Sequence, residues 1–218
     1  MEGPWEFGDV PSGQGTRTDL EGFYAAVKGG KRLREVADEH FAVLARYPRF
    51  YSTIVDVHVP LLRPNGVRVV LSIGRTGVGK THEIMERFAG NPEFFRVPLG
   101  SGFWMDGYDR HKYVLLDDFG GAQSGITLTY LLQVLDKWPV KLPVKGSFIH
   151  WCPEEIFITT NVHPRCWYKS WENREEQYAA LVRRFTIIKQ DLRVLNFLER
   201  KAFEDWRPPL PVNVDPSP

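Results

Sequence analysis

Hydrophobic and polar positions change their period once along this chain. Between Thr18 and Leu44 apolar residues recur every three or four places, whereas from Val67 onward short apolar runs alternate with helical stretches. In the first part, Leu20, Phe23, Tyr24 and Val27 share one helical face, and Gly29-Gly30 ends it. Thr18-Asp19-Leu20-Glu21 reads as a capping box at its start. A second helix is predicted through Leu33, Val36, Ala37, His40, Phe41 and Leu44, closed by Pro48, with His40 packed on the stripe. These helices predict a small unit over residues 16–55, after an extended lead-in over 1–15.

The second part predicts a strand over Val67–Ile73 and a helix over Thr81–Ala89 with Ile84, Met85 and Phe88 inward. A strand follows at Tyr113–Leu116, then a helix marked by Leu128, Leu131, Leu132 and Leu135, then strands at Ile156–Thr160 and Thr186–Lys189. Strands alternating with helices imply an α/β domain, here 56–206, whose parallel sheet is covered on both faces. The proline-rich tail, 207–218, is expected to be disordered.

Composition narrows the function classes. Hydrophobic residues make up 43% and charged residues 25%, and no apolar run approaches the roughly 20 residues of a membrane span, so no membrane partner is expected. The start of the chain lacks the basic and apolar segments of a secretory signal. Two cysteines, Cys152 and Cys166, without a CxxC spacing argue against a zinc site or a disulfide scaffold, and fit reduced thiols in an intracellular protein. A net charge of +1 means that any nucleic-acid surface must be a local basic cluster.

The strongest chemical signal is Gly74-Arg75-Thr76-Gly77-Val78-Gly79-Lys80-Thr81, which fits G-x-x-x-x-G-K-[ST] between a strand and a helix. Glycines let the backbone N–H groups wrap a phosphate, and the helix N-terminus adds free donors. Lys80 is expected on the β/γ-phosphates of ATP and the Thr81 hydroxyl on Mg²⁺, with His82 counted in the nucleotide-binding set. A chain of this length shows the pattern by accident roughly 1% of the time. The apolar strand before Asp117-Asp118 delivers two carboxylates to the same sheet edge, where one can hold Mg²⁺ and the other polarise the attacking water. Their order is open. Asn161, after Ile156–Thr160, can bond both the γ-phosphate and that water.

Taken in order, GRTGVGKT, LLDDF, a Lys-Gly hairpin and FITTN resemble superfamily 3 helicases, and more narrowly the helicase domain of replication initiator proteins of circular single-stranded DNA viruses such as circoviruses. Pro4-Trp5-Glu6-Phe7-Gly8, Trp104-Met105-Asp106-Gly107-Tyr108 and Lys137-Trp138-Pro139 sharpen the match, which covers nearly the whole chain. The resemblance implies an AAA+-like core in a homo-oligomeric, usually hexameric, ring. It further implies ATP-driven 3′→5′ unwinding during rolling-circle replication in the host nucleus, with the N-terminal helices mediating oligomerisation. Such proteins begin with a nicking endonuclease that needs a His-hydrophobic-His motif. This chain has no His-x-His, so that domain is expected to be absent from it.

Val140–His150 reads as a β-hairpin with its tip near Lys145–Ser147. In the resembled family this hairpin enters the ring channel, which makes Lys145 the first candidate for single-stranded DNA and Lys141 and His150 weaker ones. The resemblance also implies a trans-acting arginine, Arg184 first and Arg183 second, at the end of the helix before Thr186–Lys189. A helix-end pair complementing the dipole accounts for both arginines equally well. Trp167 and Tyr168 are expected in the core. Two rivals from other classes are a small-molecule P-loop kinase and a non-motor module that binds ATP only to oligomerise.

Overall fold

The computed structural model describes residues 17–61, 65–99, 104–168 and 175–205. The expected lead-in, the Pro4–Gly8 string and the proline-rich tail lie outside the described residues. The chain divides into two compact units between Pro60 and Leu61.

The first unit contains α1 (Thr18–Lys28), α2 (Leu33–Glu39), α3 (Phe41–Arg46) and α4 (Pro48–His58) around Phe23, Val27, Val36, Val43, Ile54 and Val55. The stripe predicted for α1 is borne out, with Leu20 and Tyr24 flanking the buried Phe23 and Val27. Three local expectations are corrected. Thr18 does not cap α1; Arg17 is the cap residue and its guanidinium instead holds Asp19 at 2.8 Å, so no capping box forms. The single helix expected over 33–44 breaks at His40 (φ −129°), whose ring stands edge-on to Phe23. The break lets Val43 reach the core and leaves Phe41 72% exposed. Pro48 opens α4 rather than merely closing its predecessor, because proline's fixed φ suits the first helical turn. The boundary expected at 55/56 therefore falls inside α4.

The second unit is a six-stranded sheet ordered β2-β3-β6-β1-β7-β8. Its strands are β1 (Arg68–Ile73), β2 (Phe94–Arg96), β3 (Tyr113–Leu116), β6 (Glu155–Thr160), β7 (Ile187–Gln190) and β8 (Arg193–Val194). All neighbours are parallel except β7 and β8. β4 (Val140–Val144) and β5 (Ser147–Trp151) form a separate antiparallel pair.

Side-chain alternation divides the core between the sheet's two faces. Val69, Leu71, Val114, Leu116, Ile156 and Ile158 pack with α6 (Leu128–Val134) and α7 (Glu175–Arg184), while Val70, Leu115 and Phe157 pack on Ile84 and Phe88 of α5 (Lys80–Arg87). Strands buried on both faces read as unbroken apolar runs, and each such side chain contributes roughly 1.5–3 kcal/mol. Met85, expected inward, is 39% exposed, because Ile84 and Phe88 already fill the face of α5 that meets the sheet. Trp167 and Tyr168 join the core as expected. The chain leaves β1 toward β2 on one side and later returns to β7 on the other, so β1 lies at the switch in strand order where α/β sheets form ligand crevices.

Candidate nucleotide-binding and active site

β3, β6 and β1 are adjacent and parallel, so their C-terminal ends deliver three predicted segments to one sheet edge. The loop after β1 turns through Gly77 (φ +88°) and Gly79 (φ +91°), a left-handed backbone that side chains disfavour, before α5 begins at Lys80. Gly74 is needed for closeness instead: a Cβ there would meet Asp191 Oδ1 at 2.5 Å and Val78 at 3.2 Å. Arg75 and Thr76 are exposed and Val78 is half-buried.

Lys80 is 6% exposed, and its ammonium donates to the carbonyls of Gly74 (2.8 Å) and Arg75 (2.9 Å) and to Asn161 Oδ1 (2.7 Å). Thr81 donates its hydroxyl to Asp117 Oδ1 at 2.6 Å, and Thr159 donates to the same oxygen at 2.7 Å. Arg96, at the end of β2, holds Asp117 Oδ2 at 2.5 Å. Burial alone would raise the Asp117 pKa. The two hydroxyls and the Arg96 guanidinium outweigh it and hold the carboxyl below the usual range. Asp118 is exposed, with its backbone at φ +49°; its amide donates to Thr159 Oγ1 at 3.0 Å, and Asn161 Nδ2 approaches its carboxylate at 3.4 Å.

The structure thus brings Lys80, Thr81, Asp117, Asp118 and Asn161 together. The two aspartates differ in environment: Asp117 is sequestered among donors, whereas Asp118 faces solvent. His82 lies apart from that hydrogen-bonded set: its side chain is 74% exposed on α5 and sits 3.2 Å from Glu86.

The β4–β5 hairpin turns at Lys145-Gly146, with Gly146 at φ +80°, as the sequence predicts. Leu142 and Trp151 face the core, while Lys141 and Phe148 lie exposed on the other face. The Lys145 side chain is 81% exposed, and Asp106 steadies the tip by accepting the Lys145 N–H at 3.2 Å. His150 is a correction: it is only 3% exposed and offers no surface to a ligand. The segment around Tyr108 packs on this end of the hairpin, its ring 4.8 Å from Trp151 and its hydroxyl accepting the Cys152 N–H.

Arg183 and Arg184 end α7 where β7 begins, at the sheet edge opposite the phosphate loop. A four-residue strand puts them roughly 13 Å from that edge, out of reach of their own chain's loop. Arg184 is held by Asp136 and by the Ala180 carbonyl, whereas Arg183 is exposed. Sequence reading missed Arg96 and Thr159. Both sit beside Asp117 only through strand pairing, and no local motif marks them.

Residues 70–162 match the family described as RNA helicase. The chain is similar to the replication-associated protein of Canary circovirus, 35% identical over 71% of this chain and 51% of the relative. It is similar also to those of Pigeon circovirus (32%, over 71% and 46%) and Porcine circovirus 2 (28%, over 74% and 50%). The chain spans about half the length of these curated relatives. No helix among the described residues is long and apolar enough to cross a membrane. The loop after β1, the acidic end of β3 and the asparagine after β6, assembled on one sheet edge, all fall within the segment that matches the RNA helicase family, in a chain similar to circovirus replication-associated proteins.

Proposed function

We propose that this chain is the ATP-driven motor of a viral replication initiator, translocating along and unwinding DNA as a homo-oligomeric, hexameric ring. One observation carries the reading: Lys80, Thr81, Asp117 and Asn161, from three separate segments, meet within 2.6–2.7 Å hydrogen bonds at a sheet edge beside a glycine loop. Lys80 exchanges the Gly74 and Arg75 carbonyls for the β/γ-phosphates of ATP. The Thr81 hydroxyl and Asp117 fit Mg²⁺, which prefers one or two carboxylates plus phosphate oxygens and would neutralise the phosphates. Asp118, solvent-facing and next to Asn161, polarises the attacking water, and Asn161, released from Lys80, reads whether the γ-phosphate is present. An arginine of a neighbouring copy completes the site, and Arg183 suits that role better than Arg184, which Asp136 already holds.

Lys145, Lys141 and the exposed Phe148 offer a single strand two charges and a stacking face. The relatives are replication-associated proteins, which favours DNA as the track, although the matched family is described as RNA helicase.

The test is the ATPase rate with and without single-stranded DNA, read alongside mass in solution. A DNA-stimulated rate in a ring-sized assembly is expected. Ring formation without stimulated hydrolysis would favour the non-motor module, and phosphoryl transfer to a small acceptor would favour a kinase.

A further inference from the structure

Both oxygens of Asp117 are engaged: Oδ1 accepts from Thr81 and Thr159, and Oδ2 lies 2.5 Å from Arg96 Nη2. A divalent ion that takes Oδ2 must compete there with the guanidinium, in charge and in space. Arg96 is placed there by the fold, because β2 pairs in register with β3, Arg96 opposite Leu115, two residues short of Asp117. Its side chain is 57% exposed while that of Asp117 is only 9% exposed, and among the described residues Asp117 is its sole hydrogen-bond partner. One end of the pair is therefore fixed and desolvated, and the other is solvated and free to swing. A sequestered carboxylate needs a counter-charge, and a guanidinium supplies one at every working pH.

We infer that Arg96 is an internal counter-cation for Asp117, occupying the position a divalent ion takes over when nucleotide binds. Arg96 is on this account a positioning residue. It keeps Asp117 oriented and neutralised before the metal arrives, and it competes with the metal for Oδ2. The inference rests on the nucleotide-site reading, and it makes two opposed demands. Without nucleotide, removing Arg96 should strengthen divalent-ion binding, since a competing positive charge is lost. Without metal, removing Arg96 should weaken ATP binding, since the bare Asp117 carboxylate then faces the phosphates.

The experiment uses the full chain as wild type, Arg96→Gln and Arg96→Lys. Mn²⁺ binding without nucleotide is followed by the electron paramagnetic resonance of free Mn²⁺. Arg96→Gln should bind it on the order of tenfold more tightly, with Arg96→Lys near wild type. A fluorescent ATP analogue is then titrated in EDTA and in Mg²⁺. Arg96→Gln should lose on the order of tenfold in EDTA and most of that deficit should vanish in Mg²⁺. Unchanged Mn²⁺ affinity in Arg96→Gln, or an equal loss of nucleotide affinity with and without Mg²⁺, overturns the assignment. Should Arg96→Gln fail to fold, Arg96→Lys decides alone: near-wild-type behaviour in both titrations supports the charge role, and a Gln-like pattern in a folded Lys variant overturns it. If wild type itself binds no nucleotide, the phosphate-site reading falls, while the Mn²⁺ comparison still judges Arg96.

Discussion

Thr159 offers the sharpest test of how this site is held together. It is fully buried on β6, and its hydroxyl has two duties, donating to Asp117 Oδ1 at 2.7 Å and accepting the Asp118 N–H at 3.0 Å. Thr159→Val keeps the shape and deletes the hydroxyl. The lost charge-assisted bond is worth roughly 1.5–3 kcal/mol, and an amide left without a partner costs roughly 1–3 kcal/mol. Thr81 and Arg96 still hold Asp117, so the combined loss is set at about 3 kcal/mol rather than the full sum. Thr159→Ser keeps the hydroxyl and removes one methyl, costing about 1 kcal/mol. Urea unfolding followed by tryptophan fluorescence separates the two, since Trp151 and Trp167 are buried in the same unit. The ATPase rate should fall with the valine, because Asp118 is held at φ +49° in part by this bond. The pH dependence has a definite sign. Asp117's folded pKa is depressed, so its contribution is complete above the unfolded value near 3.9 and is lost as pH falls through the lower folded value. Valine lifts the folded value, so acid loss from this group shrinks and its window narrows toward that unfolded value. A valine variant within about 0.5 kcal/mol of the serine variant would refute the reasoning.

Lys80→Ala should reduce ATP turnover to about 1% of wild type or less, with the helical and sheet content unchanged by circular dichroism. Lys145→Ala should lose DNA unwinding while keeping basal ATPase, and its DNA affinity should show a salt slope smaller by about 0.7, the value for one single-strand phosphate contact. Phe148→Ala should weaken DNA binding by about 1–3 kcal/mol with the slope unchanged, because stacking releases no counterions. His163 is half-buried beside Arg165, and the loss of solvent together with that positive charge depresses its pKa to about 4. The unfolded chain therefore binds the proton first, and stability falls as pH drops from about 6.5 to 4; His163→Asn, which keeps an acceptor for the Arg165 N–H, should flatten that slope in pH-dependent denaturation. Gly121→Ala should destabilise the second unit by at least about 2 kcal/mol in urea titrations, since φ is +65° and a Cβ would overlap the Trp167 backbone.

The sheet was legible wherever a strand is buried on both faces, because unbroken runs such as Val69–Ile73 and Ile156–Thr160 leave few other readings. The phosphate loop was legible because its glycines, lysine and threonine are contiguous. What stayed hidden depends on contacts distant in sequence. Arg96 lies 21 positions from Asp117, and Thr159 lies 42 from it. His150 pairs with the exposed Lys141 across the hairpin, and strand alternation alone therefore does not reveal that it is only 3% exposed. α4 is hidden in the sequence because Pro48 is compatible with both the end of one helix and the first turn of the next.

The arrangement makes Asp117 a point where four elements of the sheet edge converge. Its two oxygens take donors from α5, β2 and β6 while its own backbone continues β3. The donor from α5 is Thr81, adjacent to Lys80, and Lys80 holds Asn161 at the end of β6. A ligand that pulls Lys80 toward phosphate therefore breaks the bond to Asn161 after β6, and one that pulls Thr81 breaks the bond to Asp117 after β3. The nearest continuation of β2 leads through the segment carrying Asp106, which holds the tip of the Lys145 hairpin. Arg96 stands at the start of that segment. If the hold of Asp106 on the hairpin tip matters to the motor, Asp106→Ala should uncouple unwinding from ATP hydrolysis while leaving Mg²⁺-dependent nucleotide binding intact. An Asp106→Ala variant that unwinds with wild-type efficiency per ATP would show that the hairpin takes its signal from elsewhere.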